Sequence, residues 1–262
     1  MIYYFSATGN SRYVAERLAD AIGEQATSIL DLIRTNEHHI TLPQGETLVF
    51  VLPTYHYSVP NIVRDWLQQT HIDCQASNKV YVVATYGTSS GYLVRKMSRW
   101  LAQKKITVTG AAGICMPDTF TPHHDLSDKV AVERINQEAD KAIDTLCEQI
   151  KAGEKIRFKE TMPRFVCAGW HWYAYRHFTT EPFTVSEACI GCGLCAKNCT
   201  SQVIEMQADT YESDKKIKQH PVWTNTHCEM CLRCLHSCPK FAIQYGDKTR
   251  AHGQYRHAKF SN

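Results

Sequence analysis

The sequence predicts a doubly wound parallel α/β domain over residues 1–152, an aromatic connector over 153–182, and a small cysteine-rich α+β domain over 183–246. Residues 247–262 form a basic tail. Three observations carry this. Short apolar runs alternate with helical periodicity in the first half, the alternation stops at Gly153, and the last eight of twelve cysteines crowd between residues 189 and 238. With 262 residues and 44% apolar composition, the length permits one large domain or two smaller ones, so the organisation of the chain must decide.

The apolar runs at 2–5, 48–52, 80–85 and 108–115 read as strands, with a weaker one at 26–30. Between them, residues 11–22 place Val14, Leu18 and Ile22 on one helical face. Residues 61–69 follow Pro60 as a second helix, and 91–105 supply a third. The segment 127–152 repeats Val132, Ile135, Ala139, Ile143, Leu146 and Ile150 at gaps of three and four, which predicts a long closing helix. The connector is dense in aromatics: Phe158, Phe165, Trp170, Trp172, Tyr173, Tyr175, Phe178 and Phe183. They are expected to pack the two halves together, the alternative being a direct cover over a redox centre.

The cysteines form a duplicated motif. Cys189, Cys192, Cys195 and Cys199 follow the pattern C-x-x-C-x-x-C-x-x-x-C, and Cys228, Cys231, Cys234 and Cys238 repeat it 39 residues later. Each copy runs into a short β-prone stretch, 203–206 and 242–245. Three thiolates spaced by two residues fold a tight loop that presents them to three irons of one cubane. In the bacterial form of this run the fourth cysteine ligates the other cluster. Cys189, Cys192, Cys195 and Cys238 are therefore assigned to one 4Fe–4S cluster, and Cys228, Cys231, Cys234 and Cys199 to a second. Structural zinc pairs two C-x-x-C knuckles across a gap and has no use for three cysteines in seven residues.

Residues 183–246 thus resemble the bacterial two-cluster ferredoxins. They depart from them at Thr200, which stands where Pro239 stands in the second motif. Proline there fixes the turn and removes a backbone donor, so its absence is expected to alter hydrogen bonding beside the cluster held through Cys199. The insert 207–223, with Lys215, Lys216 and Lys218, reads as a solvated hairpin or loop.

At the other end, the first strand leads into Ser6-Ala7-Thr8-Gly9-Asn10-Ser11 and then a helix. Hydroxyls at Ser6, Thr8 and Ser11, the Asn10 amide, close backbone approach at Gly9 and a helix N-terminus together make a phosphate cradle. The loop lacks the lysine of a P-loop and the three glycines of a dinucleotide fingerprint, which disfavours ATP and NAD. It resembles the flavodoxins' T-x-T-G-N-T signature, with serine at the first and last positions. That resemblance implies a flavodoxin-like sheet in the order 2-1-3-4-5 holding FMN at the carboxyl ends of its strands. Pro53, Thr54, Tyr55 and His56 after the third strand, and Thr85, Tyr86 and Gly87 after the fourth, are placed to meet the isoalloxazine. Met116, Pro117 and Asp118 after the fifth are placed to complete the pocket.

Across nearly its whole length the chain resembles proteins that fuse a flavodoxin-like domain to a two-cluster ferredoxin. The resemblance implies electron transfer between low-potential one-electron carriers and a flavin or a partner redox enzyme. The alternative is an FMN-dependent reductase of a small organic substrate, fed by its own clusters. No acid–base pair aimed at a substrate is visible, which favours the carrier, and no catalytic residue is assigned. Redox partner proteins are expected as donor and acceptor. The formal charge of +3 excludes little by itself. About −2 per cluster and about −2 for a flavin phosphate bring the loaded protein to about −3, so no nucleic-acid partner is expected.

The opening residues carry no basic n-region, long apolar core or cleavage site, so the expectation is a cytoplasmic protein with its thiols reduced or metal-bound. The most apolar stretch, 165–178, contains His171, Arg176 and His177, so no membrane insertion is expected. Cys74, Cys115, Cys147 and Cys167 are read as packed thiols. His56 is either a partner of the flavin ring or a solvent-facing side chain, and His123 and His124 a loop pair without visible metal ligands. The tail, with Lys248, Arg250, Arg256, His257 and Lys259, is expected to strap across the anionic cluster domain.

Overall fold

The expected strands pair into one parallel sheet. A computed structural model describes residues 1–160, 162–208 and 219–260. The first half runs β1 (Ile2–Tyr4), α1 (Asn10–Ile22), β2 (Ala26–Ser28), α2 (Ile29–Thr35), β3 (His39–Thr41), β4 (Thr47–Pro53), α3 (Asn61–Gln69) and β5 (His71–Asp73). It continues with β6 (Lys79–Tyr86), α4 (Leu93–Gln103), β7 (Gly110–Cys115) and α5 (Lys129–Ala152). The main sheet has the order β2-β1-β4-β6-β7, all parallel, which is 2-1-3-4-5 once strands outside it are set aside. Alternation along β4 explains the two layers. Leu48, Phe50 and Leu52 pack under α2, α3 and α4, while Val49 and Val51 pack under α1 and α5.

Two features depart from the expectation. The run 26–30 is a strand only as far as Ser28, whose hydroxyl accepts the Asp31 N–H at 3.3 Å and caps α2. Ile29 and Leu30 are therefore the first turn of a helix the periodicity did not reveal. The second is a two-stranded parallel sheet of β3 and β5, three residues each, which buries only Ile40 and Ile72. Runs that short leave no pattern to read.

The second half contains α6 (Arg164–His177), β8 (Phe183–Val185), α7 (Leu194–Asn198), β9 (Ile204–Ala208), β10 (Gln219–Trp223), α8 (Arg233–His236), β11 (Ile243–Tyr245) and α9 (Thr249–His252). β8 pairs antiparallel with β11, and β9 with β10, while α7 packs on α8. Phe183 stacks on Trp223 at 4.5 Å between the two small sheets. Lys215, Lys216 and Lys218 lie outside the described residues.

The connector packs as expected only in part: Phe158 lies on the core of the first half, Phe178 and Phe183 lie on that of the second, and Phe178 also meets His56 and Phe120 of the first. In α6, Cys167 and Ala174 are fully buried, but Phe165 is 79% exposed and Trp172 58%, with Tyr173 and Tyr175 exposed beside them. Polar contacts join the halves as well. Glu229 accepts the N–H groups of Asn61 and Ile62 at 3.1 and 3.0 Å, His236 Nε2 donates to Thr119 O at 2.8 Å, and His252 Nδ1 donates to Thr121 O at 2.6 Å. Among the described residues no helix is long and apolar enough to cross a membrane.

The tail also departs in part. It lies against the cysteine-rich domain through Gln254 and Tyr255, as expected, but then runs on to the start of the chain. The Tyr255 hydroxyl donates to Asn10 Oδ1 at 2.8 Å, His257 N donates to Thr8 O at 2.9 Å, and Lys259 pairs with Glu16 at 2.9 Å. Carboxylates on α1, rather than cluster charge, are what its lysine meets.

Candidate functional site

β1 delivers the chain to the Ser6–Ser11 loop at the carboxyl edge of the sheet. Gly9 sits at φ 105°, the left-handed region, and a Cβ there would fall 2.9 Å from the Cβ of His257. Ser6 Oγ accepts the Gly9 N–H at 3.2 Å. Ser11 Oγ and Thr85 Oγ1 are 2.8 Å apart and buried, which ties the loop to the end of β6. The Asn10 amide donates to Pro117 O at 3.1 Å while its oxygen accepts from Tyr255. Ser6, Asn10 and Ser11 thus hold the loop's shape, and Thr8 lines the cavity beside the α1 N-terminus.

That cavity measures about 390 Å³, within the range of cofactor sites. The structure brings to its wall Ser6, Thr8, Asn10, Ser11, the run 53–57, the run 85–89 and the run 116–120. Every residue singled out for the flavin lines it except Gly9, which lies behind the loop. A Cβ on Gly87 would fall 2.2 Å from that of Asp118, so the β6 and β7 loops approach this closely only through glycine. Tyr55 and Ser58 exchange both backbone hydrogen bonds, at 2.9 and 2.8 Å, around His56 and Tyr57 at φ 49° and 61°. Two non-glycine residues in the left-handed region of one turn are costly, and such turns gather where side chains must be aimed.

Sequence reasoning missed the outer wall. Trp170 and Phe178 come from the connector, and Met230 and Cys231 from the cysteine motif. His56 stacks on Phe178 at 5.3 Å, and Phe120 meets the His56 ring edge-on at 5.7 Å. Burial, with His171 nearby, pushes His56 down to about 4, so its ring is neutral at pH 7. His124 Nε2 lies 3.3 Å from Asp118 Oδ2, and His123 and His124 both line the cavity. The connector thus supplies Trp170 and Phe178 as one wall of this cavity.

The structure gathers the eight cysteines into two groups. Cys189, Cys192, Cys195 and Cys238 line one small cavity. Cys199, Cys228 and Cys231 surround Cys234 closely enough to act on its ionisation. Burial pushes Cys195 up to about 11 and Cys228 to about 12, so these thiols keep their protons unless a metal takes the protons' place. Among the described residues no three metal-binding side chains close around a single ion. The duplication is visible in the backbone. Gly191 and Gly193 have φ 66° and 71°, and their equivalents Met230 and Leu232 have 50° and 53°; Gln202 and Phe241 pair in the same way at 52° and 47°. Turning three thiols inward within seven residues requires left-handed backbone at these places, and the second copy adopts it without glycine.

Of the other thiols, Cys147 and Cys167 are buried and Cys74 is half-buried as a packed thiol would be. Cys115 is not: it is exposed at the end of β7, with its sulfur 3.3 Å from Gly87 O.

Residues 1–145 match the family model of the flavodoxin domain. The chain belongs to the flavodoxin-domain family. Residues 188–254 match a second model, the 4Fe–4S dicluster domain, so the flavodoxin domain is fused to an iron–sulfur domain in an electron-transfer redox protein. No curated protein matches the chain. Among solved structures it is similar to an FMN-dependent NADH-azoreductase from Bacillus anthracis in complex with FMN, at 11% identity over 57% of this chain and 99% of that one, TM-score 0.37. It is similar to the Trp repressor binding protein of Bacillus subtilis, at 14% identity over 53% and 95%, TM-score 0.32. It is also similar to the two-electron reduced flavodoxin of Megasphaera elsdenii, at 16% identity over 43% and 85%, TM-score 0.30.

The flavodoxin domain's own residues fit a flavin phosphate. The loop offers hydroxyl and backbone donors at the N-terminus of the 13-residue α1, and its wall carries Tyr55, Tyr86 and His56 for a flat ring. The thiol sets fit iron–sulfur clusters by donor chemistry and by number.

Proposed function

We propose that the chain is an electron carrier that holds FMN, with its phosphate over Ser6–Ser11, and two 4Fe–4S clusters, the first on Cys189, Cys192, Cys195 and Cys238 and the second on Cys228, Cys231, Cys234 and Cys199. Bound flavin takes one or two electrons and a cluster takes one, so the pair converts between single-electron carriers and a two-electron acceptor. The observation that carries the reading is the position of Cys231. A ligand of the second cluster lines the same cavity as Thr8, Tyr55 and Thr85, with no intervening layer of protein.

The residues around that cavity suit the task. Thr8 and the first N–H groups of α1 offer donors to a phosphate, with no lysine in the loop. Neutral His56 offers a ring nitrogen without a charge. Phe178, Phe120 and Trp170 form an aromatic wall between the sheet loops and Met230. Because these side chains stand where a small substrate would approach, they support the carrier over the reductase. Proteins donating and accepting single electrons are the partners this requires.

Anaerobic stopped-flow reduction of the intact holoprotein by a low-potential donor tests the reading. Flavin reduction is expected at a rate independent of protein concentration over a tenfold range. Second-order flavin reduction would remove the coupled path.

A further inference from the structure

We infer that the C-terminal tail is a working part of the phosphate site, with Tyr255 and His257 as positioning residues that give the protein its preference for a phosphorylated flavin. The inference rests on the FMN reading above and adds residues more than 240 positions from the loop they serve.

Two groups on the loop, the Asn10 side-chain oxygen and the Thr8 carbonyl, are spent on the tail. Tyr255 is 6% exposed, and its hydroxyl reaches Asn10 Oδ1 at 2.8 Å and Asn136 Oδ1 of α5 at 3.3 Å. Because Asn10 Oδ1 faces Tyr255, the amide nitrogen is turned to Pro117 O, and the first residue of α1 is fixed on both sides. His257 N takes the carbonyl of Thr8 at 2.9 Å, and its ring stacks on Tyr13 at 3.9 Å. Arg12 lies over the Phe260 ring at 4.2 Å, so the tail holds the first turn of α1 as well as the loop. A cradle built from hydroxyls and N–H groups, with no cation in it, depends on those groups being aimed before the anion arrives.

The segment 254–257 is also anchored on the cluster domain, through Gln254 and Tyr255. Gln254 Nε2 donates to Leu235 O at 2.7 Å and to Cys238 O at 2.8 Å, and Tyr255 N donates to His236 Nδ1 at 3.2 Å. His236 lies between Cys234 of one thiol set and Cys238 of the other. Residues 254–257 therefore run from the carbonyl of a cluster ligand to the carbonyl of Thr8. Order in the cluster loop and order in the phosphate loop are held by one short segment, which makes each site sensitive to the other.

The test uses full-length protein purified anaerobically and then freed of flavin, with cluster content checked by iron analysis. FMN and riboflavin affinities are measured by flavin fluorescence for the wild type and Tyr255→Phe, which loses only the hydroxyl. FMN is expected to weaken about five- to tenfold, the loss of one hydrogen bond, and riboflavin less than twofold. A chain ending at Gly253 is expected to lose FMN further while still binding riboflavin. Should that chain not fold, hydrogen exchange decides with Tyr255→Phe alone: amides of residues 6–11 are expected to exchange faster. Equal losses for both ligands, or unchanged FMN affinity with unchanged exchange, would overturn the inference while leaving the FMN reading intact. A wild type that binds riboflavin as tightly as FMN would remove that reading and the inference with it.

Discussion

The hydroxyl of Thr200 lies 3.2 Å from the sulfur of Cys231, at the place where the second cysteine motif carries Pro239. Thr200 is 3% exposed, so the contact is shielded from water. A proline in this position offers no hydroxyl. Hydrogen bonds to thiolate sulfur favour the more negative, reduced state of a cluster and raise its potential.

Thr200→Val keeps the shape and removes the donor. If the bond contributes about 1 kcal/mol more to the reduced state than to the oxidised one, the potential of that cluster falls by roughly 40 mV. EPR-monitored redox titration of the variant checks this, and the other cluster serves as the internal control.

Cys199→Ala is expected to damage the cluster of Cys228, Cys231 and Cys234, which lies about thirty residues away in sequence, and to spare that of Cys189, Cys192 and Cys195. Iron content should fall from about eight to about four per chain. Loss of the cluster nearer in sequence would reverse the assignment.

Glu229→Ala should loosen the two halves. Its carboxylate accepts both N–H groups at the start of α3, and burial pushes the carboxyl up to about 7 against the pull of those bonds. Removing it leaves two buried donors without a partner, at a cost of roughly 1–2 kcal/mol by analogy with helix caps. A lower thermal midpoint, with slower intramolecular flavin reduction at unchanged cofactor content, is the expected pair of results.

Stability should also depend on His171. Burial first, then Lys96 and Arg64, push it down to about 4, below the ordinary histidine value of 6.5. Between these values the unfolded chain binds more protons than the folded one, so stability present above pH 6.5 is lost as pH falls toward 4. Denaturant titrations at pH 7 and pH 5 should show a smaller loss for His171→Gln than for the wild type.

Periodicity was a sound guide where elements were long. The repeats at Val132 to Ile150 and the run 48–52 each bury one side or both sides of an element, and burial is what writes a pattern into sequence. It failed at α2, where the cap at Ser28 carried the signal and an apolar run from 26 to 30 hid it. It failed again in α6, where aromatics read as packing residues face solvent on a helix that buries only the stripe through Cys167 and Ala174.

By itself the sequence located the strands, the Ser6–Ser11 loop and the duplicated cysteine motif, because each is local: a spacing, a turn or a periodic face complete within a few residues. The strand order entered only through the resemblance to the flavodoxins. Only the tertiary structure decided that Cys231 shares a cavity with Tyr55, that Thr200 reaches a thiol of the other motif, and that Tyr255 closes on Asn10. Those relationships join residues far apart in the chain. They depend on how two domains dock, through a handful of polar groups such as Glu229 and His236 that leave no periodic trace.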